Sequence, residues 1–284
     1  MKNVQLKKCM SFAKIEYMKW ICDARMCVAF IFLVFIYEFA VEPLLYNASL
    51  MGECKINLFE PFVAIANSGA ILLILPITFL VLIADFPKID SNAMLCILRI
   101  GRKNWLLGQF IKLAMMIVSF LFLIFAGSTI PVLSRCFVGN QWSSVVTQFH
   151  IMFPDKTANF GSLLLPENLY NQMSVTSACV KSYLFLFLYL YIIGLILLLF
   201  SILKRKMPGL ILCGSVISLG AALCSIKTRL MWIMPMAHSI VWLHYTKYYR
   251  EPVVSIELSF LYFGVISIVL VACCIVSMRK FEMG

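Results

Sequence analysis

Six runs of about 20 apolar residues limit what this chain can fold into, because each can cross the hydrocarbon core of a bilayer as a helix. The chain is 62% hydrophobic, whereas soluble domains are ~45–50% apolar. We therefore expect an all-α integral membrane protein, with one six-helix transmembrane domain over residues 26–284. The predicted transmembrane helices cover residues 26–46, 58–84, 105–133, 182–203, 207–225 and 258–278.

The distribution of basic residues predicts the orientation of the chain. Its net charge is +11, and in membrane proteins Lys and Arg concentrate in cytoplasmic loops, where they also meet anionic lipid. Six of these residues lie in 1–25, four in 86–104, three in 204–206 and two after 278, whereas the longer loops on the other side carry eight. We expect a multi-pass protein of the cytoplasmic (plasma) membrane with both termini cytoplasmic. Membrane lipid is an expected partner, and nucleic acid is not.

Residues 1–25 form a basic arm before the first apolar run. Its apolar residues recur at helical spacing: Leu6, Met10, Ala13, Tyr17 and Trp20. A neighbouring face is polar, with Lys7, Ser11 and Lys14. This pattern predicts an amphipathic helix in the cytoplasmic interface, and a disordered basic tail is the alternative.

A polar segment separates the second and third runs at residues 89–112, with the sequence IDSNAMLCILRIGRKNWLLGQFIK. Asp90 or Ser91 can cap a helix N-terminus, and Gly101 supplies a stop that tolerates positive φ. A short cytoplasmic helix is therefore predicted here, with about two turns over residues 92–98. Its basic residues would face water or lipid phosphate: Arg99, Arg102 and Lys103. Such a helix can receive force from a cytoplasmic partner, whereas the simpler alternative is that the charges only anchor the third span.

Two long segments are expected on the outer side. The loop at 134–181 contains three turn signals and six aromatic residues, which predicts a small ordered cap. The segment at 227–256 is apolar but too interrupted to span, so we expect a re-entrant hairpin between the fifth and sixth helices. The predicted outer-gate residues are Trp232, Pro235, His238 and Trp242.

Acidic residues inside the predicted spans are candidates for a substrate path, because charges at that depth usually face a bundle interior or a cavity. Glu38 lies beyond the middle of the first span, and Glu42 lies one turn further out. Glu38 is the best candidate to line a path for a cationic substrate, and a structural hydrogen bond to a neighbouring helix is the alternative. Glu42, the second path candidate, is expected near the interface, as is Glu60.

The sequence shows no constellation for catalysis or metal binding. The three histidines lack metal-ligand spacing, and no H-E-x-x-H is present. No G-x-x-x-x-G-K-[ST] loop is present either. We therefore expect no catalytic residue, no metal and no cofactor bound by this chain. Cys136 and Cys179, in the predicted outer loop, are open as a disulfide or as free thiols.

In its architecture the chain resembles the permease subunits of type-2 ABC exporters, especially the small bacterial ones associated with peptide or antibiotic export and self-protection. The resemblance rests on six spans with both termini inside, a basic interfacial helix, the hairpin between spans five and six, and a short cytoplasmic helix. That helix carries the pattern Arg99-Ile-Gly-Arg-Lys-Asn-Trp-Leu-Leu-Gly-Gln109. In that family the N-terminal helix and the helix after span two contact the ATPase. By position, the resemblance assigns this role to Lys14, Glu16, Lys19, Asp90, Leu95, Leu98, Arg99, Arg102 and Lys103.

The resemblance implies a permease subunit that moves a hydrophobic or amphipathic peptide, antibiotic or lipid outward. It also implies a separate ABC ATPase subunit that holds ATP and Mg, and a second permease subunit of the same or similar chain. One alternative is a membrane immunity or binding protein that captures a peptide without transport. Another is a secondary transporter, for which the sequence shows no clear internal repeat and little midplane charge.

Overall fold

The computed structural model describes residues 6–52, 54–89, 91–156, 164–246 and 252–279. Within these residues, five helices are long and apolar enough to cross a membrane. There are six such spans if one pair of helices with a bend between them counts as a single span. The spans are Met26–Leu50, the bent pair Glu60–Asn67 with Ile71–Leu82, Arg102–Arg135, Val175–Ile202, Lys206–Ile226 and Ile256–Arg279. The prediction of an all-α, multi-pass membrane protein is confirmed.

The helices in chain order are α1 (Leu6–Ile21), α2 (Met26–Ile36), α3 (Glu42–Leu50), α4 (Glu60–Asn67), α5 (Gly69–Leu82), α6 (Ser91–Ile100), α7 (Arg102–Thr129), α8 (Ser144–Thr147), α9 (Phe149–Met152), α10 (Glu167–Tyr170), α11 (Val175–Ile202), α12 (Lys206–Ile226), α13 (Pro235–Ser239) and α14 (Ile256–Arg279). A π-helical turn, Tyr37–Val41, joins α2 to α3. Two short strands, β1 (Ile56–Asn57) and β2 (Cys136–Phe137), pair in parallel.

The central helix of the bundle is α11, which packs against α4, α7, α12 and α14. Its apolar residues are buried around much of its circumference, as expected for a helix surrounded by others. It begins at Val175, seven residues before the predicted start at residue 182. The helix includes Lys181 and the polar residues before it, and its N-terminal boundary is Ser174, which is extended. Where α7 crosses it, Gly194 leaves room for the buried side chain of Leu113.

Replacing Gly194 with alanine is expected to lower the free energy of unfolding by about 1–3 kcal/mol. The new Cβ would lie 2.4 Å from Leu113 Cδ1, and Leu113 is enclosed and cannot swing away. The apparent melting temperature of the protein in detergent measures the effect. Gly214→Ala on α12 is the matched control, because nothing lies within 4 Å of its new Cβ. Equal melting temperatures for the two variants would contradict the close crossing of α7 and α11.

Ion pairs and hydrogen bonds define one end of the bundle. Asp85, which follows α5, bonds to Arg25 before α2 and to Lys206 at the start of α12. Arg102, at the start of α7, donates a hydrogen bond of 3.1 Å to the carbonyl of Arg279 at the end of α14. We call this the basic end, and we call the opposite end, which carries the long loops, the loop end.

Helix α1 runs along the first half of α7 in the same direction. Three pairs of side chains join the two helices: Cys9 with Asn104, Glu16 with Lys112, and Tyr17 with Ser119. Phe12 packs over Gly108, where an added Cβ would lie 2.6 Å from the ring. Because the contacting residues occur in the same order along both helices, α1 is attached to α7 over its length.

The helical arm predicted for residues 1–25 is therefore found over Leu6–Ile21. Ala13 and Trp20 are buried as their spacing suggests, and the indole of Trp20 donates to the carbonyl of Leu82 at 3.0 Å. Leu6 and Met10 are instead 64% and 50% exposed. The buried stripe is rotated toward Cys9 and Phe12, because the helix packs on protein and is not placed by amphipathicity alone.

The prediction of one helix over residues 58–84 is wrong. The second span consists of α4 and α5, which meet at 85°. Ser68 separates them in an extended conformation, with φ −75° and ψ 123°. All eight residues of α4 are buried, so the first half of this span lies within the protein. The break occurs at Asn67 and Ser68 rather than at Pro76, which lies inside α5.

Candidate functional site

The short cytoplasmic helix predicted between spans two and three is α6, and it packs against α7 at the basic end. It ends at Gly101, whose φ of 89° and ψ of 148° confirm the predicted positive-φ stop. Ile97 turns toward the protein and is 2% exposed, whereas Leu95 and Leu98 are 64% and 63% exposed. The helix therefore buries one apolar residue and presents two others away from the bundle.

Basic residues surround this exposed apolar pair. Arg99 and Lys103 are exposed, and Arg102 is half-buried through its hydrogen bond to Arg279. We call Leu95, Leu98, Arg99 and Lys103 the α6 surface. Asp90, the remaining residue predicted in this element, lies outside the described residues.

The three residues of α1 that the resemblance assigns to contact with an ATPase lie in different environments. Lys14 and Lys19 are exposed. Glu16 turns toward α7, where one carboxyl oxygen lies 3.4 Å from Lys112 Nζ and the other 2.7 Å from Lys19 Nζ. Glu16 thus belongs to the joint between α1 and α7, and Lys14 and Lys19 remain on the surface of α1.

A cavity of about 800 Å³ lies between the start of α7 and the end of α14. Arg102, Lys103 and Arg279 supply its basic part. Apolar residues supply the rest of the lining: Leu106, Leu107, Phe110, Ile275 and Met278. This combination of positive charge and apolar surface suits an amphipathic molecule with an anionic group.

A second cavity, of about 350 Å³, lies between α1, the end of α5 and α7. Asp85 lines it together with its partner Arg25. Hydrogen bonds from Lys206 and Arg25 hold the pKa of the Asp85 carboxyl below its ordinary value despite partial burial. The carboxylate thus links the starts of α2 and α12 to the chain after α5 at neutral pH.

At the loop end, Asn67 connects the broken span to the hairpin between α12 and α14. Its amide donates to the Val63 carbonyl and to Ser182 Oγ on α11, each at 2.9 Å. Its side-chain oxygen accepts from the backbone N–H of Val241 at 2.9 Å, and its carbonyl accepts from Trp242 Nε1 at 2.8 Å. Trp242 thus satisfies the backbone carbonyl of Asn67 at the break, and the side chain of Asn67 attaches α4, α11 and the hairpin to one another.

The predicted gate residues lie in a compact hairpin of short helical turns. Pro235 begins α13, and every residue of α13 is buried. The ring of His238 lies between Ser259 Oγ and the carbonyl of Trp232, each at 2.8 Å, and Trp242 contacts Asn67. The structure thus brings Trp232 and His238 together and places Trp242 on the break in span two. Residues 247–251, at the end of the predicted gate segment, lie outside the described residues.

Glu38 and Glu42, the predicted path residues, are both exposed on the surface of the single chain. Neither carboxyl group has a hydrogen bond or an ion pair with any residue in the described ranges. Glu38 lies in the π-helical turn, an irregularity found frequently at functional sites. This turn presents Glu38 outward from its own chain, so the alternative of a structural hydrogen bond to a neighbouring helix is not found among the described residues, and the role of Glu38 in a substrate path stays a prediction.

Glu60 is a carboxylate whose complete burial the sequence did not predict. It was expected at the interface, yet it is 0% exposed. Its oxygens accept from Ser143 N at 2.6 Å, Ser143 Oγ at 2.8 Å and Asn57 N at 3.0 Å. The loop at 134–156 thus folds over α4 and is fastened to it. Sequence reasoning missed this contact because Glu60 and Ser143 are 83 residues apart.

No group of three or more His, Cys, Asp or Glu residues is arranged to hold a metal ion within the described part of the chain. All eleven cysteines, including Cys136 and Cys179, are free thiols.

Comparisons with protein-family models, with curated proteins and with solved structures give no match to this chain. Its function is therefore inferred from its own geometry, which is that of an all-α, multi-pass membrane protein.

Proposed function

We propose that the chain is the permease subunit of an ATP-driven exporter, with its basic end in the cytoplasm. The α6 surface is the observation that carries this proposal. A short helix outside the spans exposes Leu95 and Leu98 beside Arg99, which is the composition of a protein-docking patch: an apolar centre with a charged border. The partner is a separate ABC ATPase subunit, which supplies the site for ATP and Mg.

The position of α6 supports a role in transmitting force. It is joined to α7 through the single residue Gly101 and packs against α7, with Ile97 buried. Helix α7 is 28 residues long and contacts the central helix α11 at Gly194. A displacement of α6 by a partner would therefore move a rigid element that crosses the bundle. Helix α1, fastened along α7, would move with it.

The transport path in this proposal lies between two permease subunits, of the same or similar chain. Glu38 and Glu42 are exposed on one chain, and a second chain would enclose them. On α12, Ser218 and Ala222 are exposed and Gly214 has open space around it, so this stripe of small residues is free for close approach by another helix. The substrate is a hydrophobic or amphipathic peptide, antibiotic or lipid.

The experiment is co-purification of an ATPase subunit with the chain, compared with a Leu95→Glu/Leu98→Glu variant. We expect at least about tenfold weaker binding of the ATPase and a matching loss of export and of coupled ATP hydrolysis. The melting temperature should not change, because both side chains are exposed. The control is Val138→Glu/Ile151→Glu, which changes two residues that are 72% and 70% exposed at the loop end.

Full export and coupled ATP hydrolysis in a folded Leu95→Glu/Leu98→Glu protein would overturn the docking claim. Arg99→Glu alone tests the charged border and should weaken binding less. Both assays use the full-length permease with its ATPase, so loss of folding and loss of docking are distinguished by the melting temperature.

The break in span two favours a secondary transporter as the second candidate. Discontinuous helices commonly form the substrate and ion sites of that class, and α4 and α5 form such a helix. This candidate predicts flux driven by an ion gradient in proteoliposomes that contain the chain and no ATPase. Flux that instead requires ATP and an ATPase subunit would select the exporter.

A further inference from the structure

The cavity of about 800 Å³ between the start of α7 and the end of α14 has a charged part and an apolar part. Its charged part includes Arg102, where one span begins, and Arg279, where another span ends. Arg102 donates to the Arg279 carbonyl at 3.1 Å, so both lie at the same level of the bundle. Lys103 adds a third positive charge. The charged part therefore lies at the end of the spans, where a membrane helix meets water.

The apolar part of the cavity extends from this level toward the middle of the spans. Leu107 and Phe110 line it on α7, and Ile275 lines it on α14. From Arg102 to Phe110 the helix rises about 12 Å, whereas the polar region on one side of a bilayer is about 5–8 Å deep. The lining thus changes from basic to apolar over a length that passes from the head groups into the hydrocarbon.

The side chains that line both parts can be reached from outside the protein. Lys103 and Arg279 are exposed, and Leu107 and Phe110 are half-buried. Ile275 is 39% exposed. A molecule from the surrounding membrane can therefore contact the basic and the apolar side chains at the same time.

The positive charge in the cavity has no counterion among the described residues. The described lining contains no Asp or Glu, and Arg102, Lys103 and Arg279 form no ion pair within the described ranges. The bond from Arg102 to the Arg279 carbonyl uses one of the five N–H donors of Arg102 and none of those of Arg279. Guanidinium groups bind phosphate oxygens through paired hydrogen bonds. This part of the cavity therefore suits a phosphate group.

We propose that this cavity binds an anionic phospholipid, with its phosphate beside Arg102 and Arg279 and one acyl chain along Leu107, Phe110 and Ile275. Basic pockets between transmembrane helices are a known setting for anionic lipid head groups. A soluble anion would leave the apolar lining unused, and an uncharged lipid would leave the guanidinium groups without a counterion. The inference requires that the basic end lies at one face of the bilayer, and it depends neither on transport nor on an ATPase.

The test uses the purified full-length protein in detergent after removal of co-purified lipid. Native mass spectrometry measures the binding of phosphatidylglycerol, of phosphatidylcholine with the same acyl chains, and of glycerophosphoglycerol, which is the head group without chains. We expect phosphatidylglycerol to bind at least about tenfold more tightly than either of the others and to raise the melting temperature. Its affinity should fall as the salt concentration rises, because salt screens the attraction between exposed charges.

The decisive variants are Arg279→Gln and Ile275→Glu. Arg279→Gln removes the guanidinium group but keeps the backbone carbonyl that bonds to Arg102, so the lipid-free melting temperature should not change. The affinity for phosphatidylglycerol should fall at least about tenfold. Ile275→Glu places a carboxylate in the apolar part and should weaken binding similarly. The matched controls are Arg205→Gln, an exposed arginine at the basic end, and Val276→Glu, at a position that is 52% exposed. Both lie outside the described lining.

Three results would overturn the proposal. Equal affinities for phosphatidylglycerol and phosphatidylcholine would show that no anion is recognised. Glycerophosphoglycerol binding as tight as that of phosphatidylglycerol would reduce the site to one for a free anion. If both variants bind phosphatidylglycerol as tightly as their controls, the lipid binds elsewhere, and a simultaneous loss of the ATPase subunit or of a second copy of the chain would assign the cavity to that protein contact. If Ile275→Glu fails to fold, Arg279→Gln decides the question by itself.

Discussion

Glu60→Ala is expected to lower the free energy of unfolding by about 3 kcal/mol, one of the two largest effects of a single substitution in this protein. The carboxyl group accepts from Ser143 N, Ser143 Oγ and Asn57 N. Alanine would leave at least two backbone N–H groups buried without an acceptor, because the site is closed to solvent. We expect a lower melting temperature in detergent and faster proteolysis of the loop at 134–156.

Glu42→Ala is the matched control for this experiment. Like Glu60, Glu42 stands at the start of a helix and is followed by proline, but its side chain is exposed. Its replacement should change the melting temperature little. Glu60→Gln, which keeps one acceptor oxygen, should fall between the two. Equal melting temperatures for Glu60→Ala and Glu42→Ala would show that Glu60 does not fasten the loop.

Asn67→Ala is expected to cost a similar amount, about 3 kcal/mol, and to loosen the hairpin between α12 and α14. The substitution removes bonds to Val63, Ser182 and the N–H of Val241. It also leaves a small void at a position that is 1% exposed. The measurements are the melting temperature and protease cleavage within residues 229–246.

The control for Asn67 is another buried asparagine. Asn47 is 4% exposed, and its side chain makes no hydrogen bond to any residue in the described ranges. Asn47→Ala therefore leaves no partner unpaired and should cost less. Cleavage of the hairpin at the same rate in both variants would remove the role assigned to Asn67.

The number of spans and their approximate positions could be predicted from the sequence because they depend on local composition. A helix in lipid satisfies its own backbone, so length and hydropathy suffice to locate it. The stop at Gly101 is similarly local, because a positive φ strongly favours glycine. The 85° break in span two could not be located this way, since residues 58–84 are apolar on average. Asn67, Ser68 and Gly69 are three successive poor helix formers, and they are the signal that was missed.

The candidate sites depend on contacts between distant residues, and these limit what a sequence can reveal. Leu95, Leu98 and Arg99 could be placed on one short helix, and their exposure agrees with that placement. The burial of Glu60 depends on a loop that follows the third span. The ion pair between Glu16 and Lys112 depends on how α1 packs along α7, which no local pattern encodes.

The pairing of β1 with β2 also dictates the order in which the protein can be assembled during synthesis. The partners of β1 and of Glu60 are Cys136–Phe137 and Ser143, which all leave the ribosome after the third span. A nascent chain with only two spans inserted therefore carries a carboxyl group that has the N–H of Asn57 but lacks its two donors on Ser143, which have not been synthesised. The contacts between Ser143 and Glu60 at the loop end can form only after α7 has crossed the bilayer and placed residue 143 on the same side as residue 60.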